Sequence, residues 1–396
     1  MFDPAVASRR LTRRASPLVD PSIEPAAASA IERVRRGRIL VTGGAGSIGG
    51  AVVKLLVSLG VPALHVVDTD ENALADLVRD IRAGTATAPA DFRTSVVAMG
   101  TDGFRRFVAD AGSYDVVLNL AALKHVRSER DMYGLARMID TNVRAVVDLF
   151  LLRDAGRIRS VFSVSSDKAV KPHNLMGATK RWMEKILAAG GGTTTRFANV
   201  AFSKGSLPRA ILQRLDRHEP VAAPSNIRRY FITDEEAAWL CVLAAFDCSA
   251  GGALIPKLEA SDHTTSMVEV AEMILEMHGL RPRLCGSADE AKHLAATRPQ
   301  DAEWWPCFFS PADTTGEKDV EEFRYADELE LPSPYANIAS IRMAKPNELQ
   351  LNEAMKRFER AAQQKTWSKD EFVAAIRCAV EELAYSDLGV SLDDRM

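Results

Sequence analysis

Residues 38–60 constrain this chain more than any other stretch. Arg38–Thr42 (RILVT) is a short apolar run that stops at glycines, the pattern of a buried strand. Gly43, Gly46 and Gly49 then fall three apart, and VVKLLVSLG continues with apolar residues at helical spacing. A strand, a glycine turn and a helix in that order lets the backbone turn tightly and approach a pyrophosphate. The helix start then offers N–H groups and the positive end of its dipole. Gly43, Gly46, Ser47, Ile48 and Gly49 are therefore expected to hold the phosphates of a dinucleotide. A glycine triplet alone is weak, but flanked by strand and helix it carries weight.

The chain then alternates. Ala63–Val67 reads as a second strand, Thr94–Met99 as a third, Tyr114–Leu120 as a fourth and Ile158–Val164 as a fifth, with helical patterns between them. One of these helices is read as continuous from Asp131 to Ala155. Such β-α repetition points to a parallel, doubly wound sheet, in which ligands sit beyond the carboxyl ends of the strands. Asp68 ends the second strand 19 residues after Gly49, near the spacing of about 20 expected for a carboxylate on the adenosine ribose. That favours NAD over NADP, unless Asp68 only caps the helix beyond it. Asp102, at the end of the third strand, is placed to read an adenine. Ala121 and Ala122 are small enough for a close backbone approach to the cofactor. Lys124, His125 and Asn142 fall at the same crevice edge or in the helix behind it.

The most chemically loaded stretch is Ser163–Met183, SVSSDKAVKPHNLMGATKRWM. It puts Ser165, Ser166, Asp167 and Lys168 at a strand end and Lys180 on the following helix. Further on, Thr193–Asn199 reads as a sixth strand, and SKGS (Ser203–Ser206) leads into a helix through Arg217. Asp234–Phe246 reads as an amphipathic helix, Ser266–Gly279 as another, and residues from about Pro346 to Ser386 as a helical tail. Residues 1–36 read as an arm, with a helix possible over Ser22–Arg36.

Composition narrows the partners. The net charge of −3 gives no sign of nucleic-acid binding. Five cysteines without a CxxC pair argue against a disulfide framework or zinc ribbon and for a reducing cytoplasm. There is no apolar run of about 18 residues, hence no expected membrane span, and no apolar core follows the N-terminal arginines. No metal is expected, because no His or Cys is spaced to join His125.

With the glycine turn, AALKHV, SSDK and MGATK together, the chain resembles the extended short-chain dehydrogenase/reductases. More narrowly it is similar to the polysaccharide-biosynthesis nucleotide-sugar 4,6-dehydratases acting on UDP-N-acetylglucosamine. The likeness runs from about Arg38 to Phe323 and includes RFANV, RRYFIT and TGEKDVEEF. It implies an α/β fold with a Rossmann-like domain over 37–205 and a smaller, mixed substrate-binding region over 206–345 with some interleaving. An arm (1–36) and a helical tail (346–396) flank them. It implies NAD as cofactor and a homo-oligomer, by default a dimer through the long helices.

The resemblance also implies roles. Lys168 would take the sugar C5 proton, Asp167 would protonate the departing C6 hydroxyl, and Lys180 would bind the nicotinamide ribose. Ser166 would help Asp167. Lys124, His125, Asn174, Asn199, Ser206, Arg229 and Lys318 would face the nucleotide sugar, with Arg229 otherwise a structural partner of Asp234 or Glu235. One position departs from the superfamily: Met176 stands where most members have the tyrosine that deprotonates the oxidised hydroxyl. A thioether cannot be a base, which moves that step to Asp167 or to a water held by Ser166 and Asp167. A subgroup of the dehydratases shares this methionine. The four aromatics Trp304, Trp305, Phe308 and Phe309 fit a core or interface better than a ligand. Two other readings stay open: a nucleotide-sugar 4-epimerase, and an inert NAD-binding protein.

Overall fold

The computed structural model describes residues 2–21, 24–311, 318 and 320–385. Ser22 of the expected arm helix, Thr314–Glu317 and Asp319 of the TGEKDVEEF stretch, and Ser386 with the rest of the tail's end lie outside them.

The arm carries α1 (Pro4–Thr12), capped by Asp3, and α2 (Pro25–Val34). The core follows as β1 (Arg38–Thr42), α3 (Ser47–Ser58), β2 (Ala63–Asp68), α4 (Glu71–Ala83), β3 (Asp91–Val96), α5 (Asp102–Ala111) and β4 (Tyr114–Asn119). Next come α6 (Met132–Ile139), α7 (Ala145–Asp154), β5 (Ile158–Ser163) and α8 (Leu175–Gly190). The first five strands form one parallel sheet in the order β3-β2-β1-β4-β5. The order reverses at β1, so a crevice opens beyond the carboxyl ends of β1 and β4. The third strand begins and ends earlier than expected, which leaves Met99–Thr101 as crevice wall.

Two expected elements are broken, each by a buried polar side chain. The helix read as Asp131–Ala155 is interrupted by a π turn at Asp140–Arg144. Asn142, within it, donates to Leu123 O and Thr179 Oγ1 and accepts from Leu123 N. A π bulge is a common way of turning a side chain off the helix register. The sixth strand survives only as β6 (Thr194–Thr195) and β7 (Asn199–Val200). Between them Arg196 is fully buried, with its guanidinium forked between Glu184 and Glu328.

The remainder is α9 (Leu207–Asp216), β8 (Val221–Pro224), β9 (Arg228–Ile232), α10 (Asp234–Phe246), β10 (Gly252–Pro256), α11 (Ala260–His263) and β11 (Thr264–Ser266). Then follow α12 (Met267–Met277), β12 (Arg281–Leu284), α13 (Ala288–Thr297), β13 (Trp304–Ser310), β14 (Leu329–Leu331), β15 (Ile338–Arg342), α14 (Glu348–Gln363) and α15 (Lys369–Ala379). Helix α10 is not amphipathic: ten of its residues are buried, and it lies against α3 inside the first core. Of its first-turn acids Asp234 and Glu235 are exposed, while buried Glu236 forms a capping box with Thr233. Strands β10 and β15 join the same core. A second core gathers α1, α9, β8, α12 and β13, and Trp305 and Cys307 are buried in it.

The tail supplies a third core. Leu351, Phe358, Phe372 and Ile376 pack on Leu135, Ile139, Leu175 and Trp182 of α6 and α8. Helices α14 and α15 thus cover this side of α6 and α8. Among the described residues no helix is long and apolar enough to cross a membrane.

Candidate active site

The crevice is one cleft with two adjoining chambers that share Gly43, Gly46, Leu120, Ala122 and Leu123. The first, about 280 Å³, runs past Asp68 to Met99, Gly100 and Thr101. The second, about 470 Å³, reaches Ser165–Lys168, Met176, Lys180 and the Asn199–Ser206 loop. Gly43 has φ +68°, and a Cβ there would sit 2.4 Å from Ala121 N. A Cβ on Gly49 would lie 2.1 Å from Gly43 O. Both glycines are therefore required by close packing of turn, helix and neighbouring strand. Gly46 is the N-cap of α3, and no side chain caps it, which leaves the helix start open to an anion. Asp68 anchors the turn: Oδ2 accepts from Ala45 N at 2.9 Å, and Oδ1 accepts from Thr69 N and Asp70 N.

At the far end β5 delivers the loaded segment. Ser166 Oγ donates to Asp167 Oδ1 at 2.7 Å, and the Lys168 N–H donates to the same oxygen at 2.8 Å. Lys168 Nζ is 3.3 Å from it. The carboxylate is 2 % exposed, and its Oδ2 has no hydrogen-bond partner among the described residues. One oxygen is saturated and the other is available. Met176 is buried in the chamber wall, so no hydroxyl stands at that position. Gly177 is needed beside it, because a Cβ there would meet Lys168 O at 2.2 Å. Lys180 Nζ donates to Val164 O at 2.9 Å. Burial pushes this lysine down to about 8, against an upward pull from Glu184.

Lys168 is shifted in the opposite direction from Lys180. Burial favours its neutral form, but the carboxylates of Asp167 and Glu321 outweigh that and raise it above the ordinary lysine value. Glu321, which the sequence reading did not single out, stands 3.3 Å from Lys168 Nζ. At rest Lys168 is a cation between two carboxylates.

The Ser203–Ser206 loop crosses the chamber mouth. Its Lys204 N–H donates to Ser47 Oγ at 2.9 Å, tying the loop to the phosphate turn. Gly205 has φ +77° and lies against the His125 ring. Ser206 Oγ is buried without a partner among the described residues, and it lines the chamber with Asn199, Lys124 and His125. Burial, then Lys124 and Arg127, hold His125 below its ordinary value, so it is neutral at pH 7. Burial also lowers Lys124, while Asp234 opposes this.

Five expected site residues are placed elsewhere. The Asp102 side chain is fully exposed and, as a first-turn acid of α5, pairs with Arg105 at 2.7 Å. Asn142 buttresses Leu123 from behind the cleft. Asn174 caps α8, accepting from Gly177 N at 2.7 Å. Buried Arg229 donates to the carbonyls of Arg228 and Lys318. Lys318 donates to Val170 O at 2.5 Å and lies 3.9 Å from Glu321. Arg229 and Lys318 thus brace the Lys168 segment and do not line either chamber. Ser165 lines the chamber, but its hydroxyl is committed to Glu184 at 2.6 Å.

Sheet order, glycine turn and cleft together define a dinucleotide-binding α/β protein of the extended short-chain dehydrogenase/reductase kind. The family described as "Polysaccharide biosynthesis protein" matches residues 39–301, and the chain belongs to it. An uncharacterized membrane protein of Methanocaldococcus jannaschii is 28% identical over 255 residues, 62% of this chain and 73% of that one. The inverting UDP-N-acetylglucosamine 4,6-dehydratase of Campylobacter jejuni is 26% identical, covering 56% of this chain and 66% of its own. A UDP-glucose 4-epimerase of Rickettsia canadensis is 24% identical over 64% of this chain and 75% of its own. Among solved structures, Pen from Bacillus thuringiensis superposes with a TM-score of 0.62 at 20% identity, covering 79% of this chain and 91% of that one.

Proposed function

We propose that the chain is a NAD-dependent 4,6-dehydratase of a nucleotide-activated N-acetylhexosamine, UDP-N-acetylglucosamine foremost, serving polysaccharide synthesis. The observation that carries this reading is the pairing of the buried Asp167 carboxylate with Lys168 in the cleft, with Met176 beside it in place of a hydroxyl. Epimerisation at C4 needs no acid–base pair for elimination. Membership of the polysaccharide biosynthesis family and the likeness to the Campylobacter enzyme support the same choice.

The residues fit NAD. The uncapped start of α3 suits the pyrophosphate, and Asp68 at the end of β2 suits a ribose without a 2′-phosphate. Ala121 and Ala122 leave room between the two. NAD bound there supplies the hydride acceptor and donor. Lys180, cationic at neutral pH, holds a ribose hydroxyl and favours negative charge developing nearby.

Asp167 Oδ2 takes the C4 hydroxyl proton as that carbon becomes a ketone. The ketone acidifies C5, and Lys168 removes the C5 proton once it has shed its own. The C5 electron pair then expels the C6 hydroxyl, which leaves as water with the proton Asp167 collected from C4. Lys168 finally returns a proton to C5 and takes back the proton it first shed. The sugar loses one water, and both residues end as they began.

The direct test incubates the protein with UDP-N-acetylglucosamine and follows the mass of the nucleotide sugar. Loss of one water is expected; an unchanged mass with altered proton couplings would instead indicate an epimerase. The mouth loop gives a second check. In Gly205→Ala, the left-handed φ and a Cβ placed 2.3 Å from the His125 ring force the loop off its seat. A backbone penalty of roughly 1–2 kcal/mol is expected to raise KM for the sugar nucleotide by about tenfold. The thermal midpoint should move little.

A further inference from the structure

Lys168 has more negative charge around it than an ion pair requires. Asp167, its neighbour in sequence, already supplies one carboxylate at 3.3 Å. Glu321, from a distant part of the chain, supplies a second at 3.3 Å. The Glu321 side chain is only 4 % exposed, and its Oε2 has no hydrogen-bond partner among the described residues. Burying a second carboxylate whose Oε2 has no hydrogen bond, and only the Lys318 ammonium at 3.9 Å, is unfavourable unless the extra acceptor is used. The other charged groups facing this cluster are Lys318, 3.9 Å from Glu321, and Arg229, whose charge also bears on Lys168. Lys318 is directed to the Val170 carbonyl and Arg229 to the carbonyls of Arg228 and Lys318.

We propose that Glu321 is a positioning residue and proton store for Lys168. It fixes the ammonium beside Asp167, accepts one of its protons as substrate fills the chamber, and returns that proton at the end of turnover. This rests on the assignment of Lys168 to the C5 proton. In the first step an N–H bond of Lys168 breaks, an O–H bond forms on Glu321 Oε1, and the electron pair stays on Nζ. That pair next takes the C5 proton. After C5 is reprotonated, Glu321 gives its proton back and Lys168 is again a cation. Expelling water from the chamber drives the first step, because a neutral pair is favoured over separated charges in a drier site.

The test does not depend on turnover. Lysines are labelled competitively with acetic anhydride across a pH series, and the peptide holding Lys168 is quantified by mass spectrometry. Lys292, 65 % exposed, serves as the internal reference. In the wild-type protein the Lys168 midpoint should lie above that of Lys292. Glu321→Gln keeps the shape, removes the charge, and should lower the Lys168 midpoint by about 1–3 pH units, leaving Lys292 unmoved. Glu321→Asp, which retains the charge, should fall nearer the wild type. A Lys168 midpoint unmoved in Glu321→Gln, or lowered as much in Glu321→Asp as in Glu321→Gln, overturns the proposal. Exchange of C5 hydrogen with deuterated solvent is followed in parallel. A labelling shift without any C5 exchange in the wild-type protein would overturn the proton-store role together with the dehydratase reading, while leaving the Lys168–Glu321 ion pair standing.

Discussion

Asp167→Asn is expected to lower kcat by about 10²–10⁴-fold, the range for losing a positioned acid–base group, while leaving the fold intact. The geometry explains both halves. Asp167 Oδ1 accepts from Ser166 Oγ, Lys168 N and Lys168 Nζ. An amide oxygen can occupy that position and keep those bonds. The amide nitrogen then takes the place of Oδ2, the oxygen without a partner, and a nitrogen there cannot collect the C4 hydroxyl proton. Transient reduction of bound NAD, read at 340 nm, should be lost along with product formation. A variant that still reduced NAD at the wild-type rate would clear Asp167 of the first proton transfer.

The largest effect on stability is expected at Arg196. Its guanidinium is fully buried, with Nε and Nη2 at 2.7 Å from Glu184 and Nη1 and Nη2 at 2.6 and 2.7 Å from Glu328. Arg196→Leu would leave two buried carboxylates facing each other, with only Arg181 to share. Breaking such a cluster from one side costs about 3–5 kcal/mol, measurable as a lower urea midpoint. Replacing Arg196, Glu184 and Glu328 together by apolar residues should restore much of that loss, because no charge is left unpaired. If the single variant matched the wild type, the cluster would not be holding α8 to the Glu328 segment. Ser165 gives the single variant a further readout: its hydroxyl bonds Glu184 at 2.6 Å and it lines the chamber, so NAD affinity should fall as well.

What the sequence revealed and concealed follows from range. The parallel sheet was legible because each strand and helix declares itself within a few residues, through apolar runs and glycine punctuation. Asp167, Lys168, Met176 and Lys180 were legible for the same reason: they share one strand-to-helix connection. Glu321 was not, since nothing local distinguishes it from Glu322, which pairs with Lys171 on the surface. Only the folded chain brings Glu321 to Lys168. For Asn174 and Asp102 the contacts that the structure shows were available to local rules. An Asn directly before a helix is a cap, and an Asp three residues before an Arg in a first turn is an i,i+3 pair. The break at Arg196 was hidden because a lone arginine in an apolar stretch does not announce the two glutamates that bury it. The tail was readable as helical, but its docking on α6 and α8 depends on shape complementarity that periodicity does not encode.

The same ionic cluster sets an order in time. Arg181 and Lys185 on α8 pair with Glu382, and Arg181 also faces Glu328, so the helix carrying Lys180 draws part of its counter-charge from the last part of the described chain. During translation the glycine turn and the first five strands emerge long before those residues do. A nascent chain would therefore hold a nearly complete nucleotide crevice, with α8 still exposing Trp182 and its unmatched charges. Catalytic competence should arrive abruptly, after residue 382 has cleared the ribosome, and an earlier stall should yield a species that chaperones recognise.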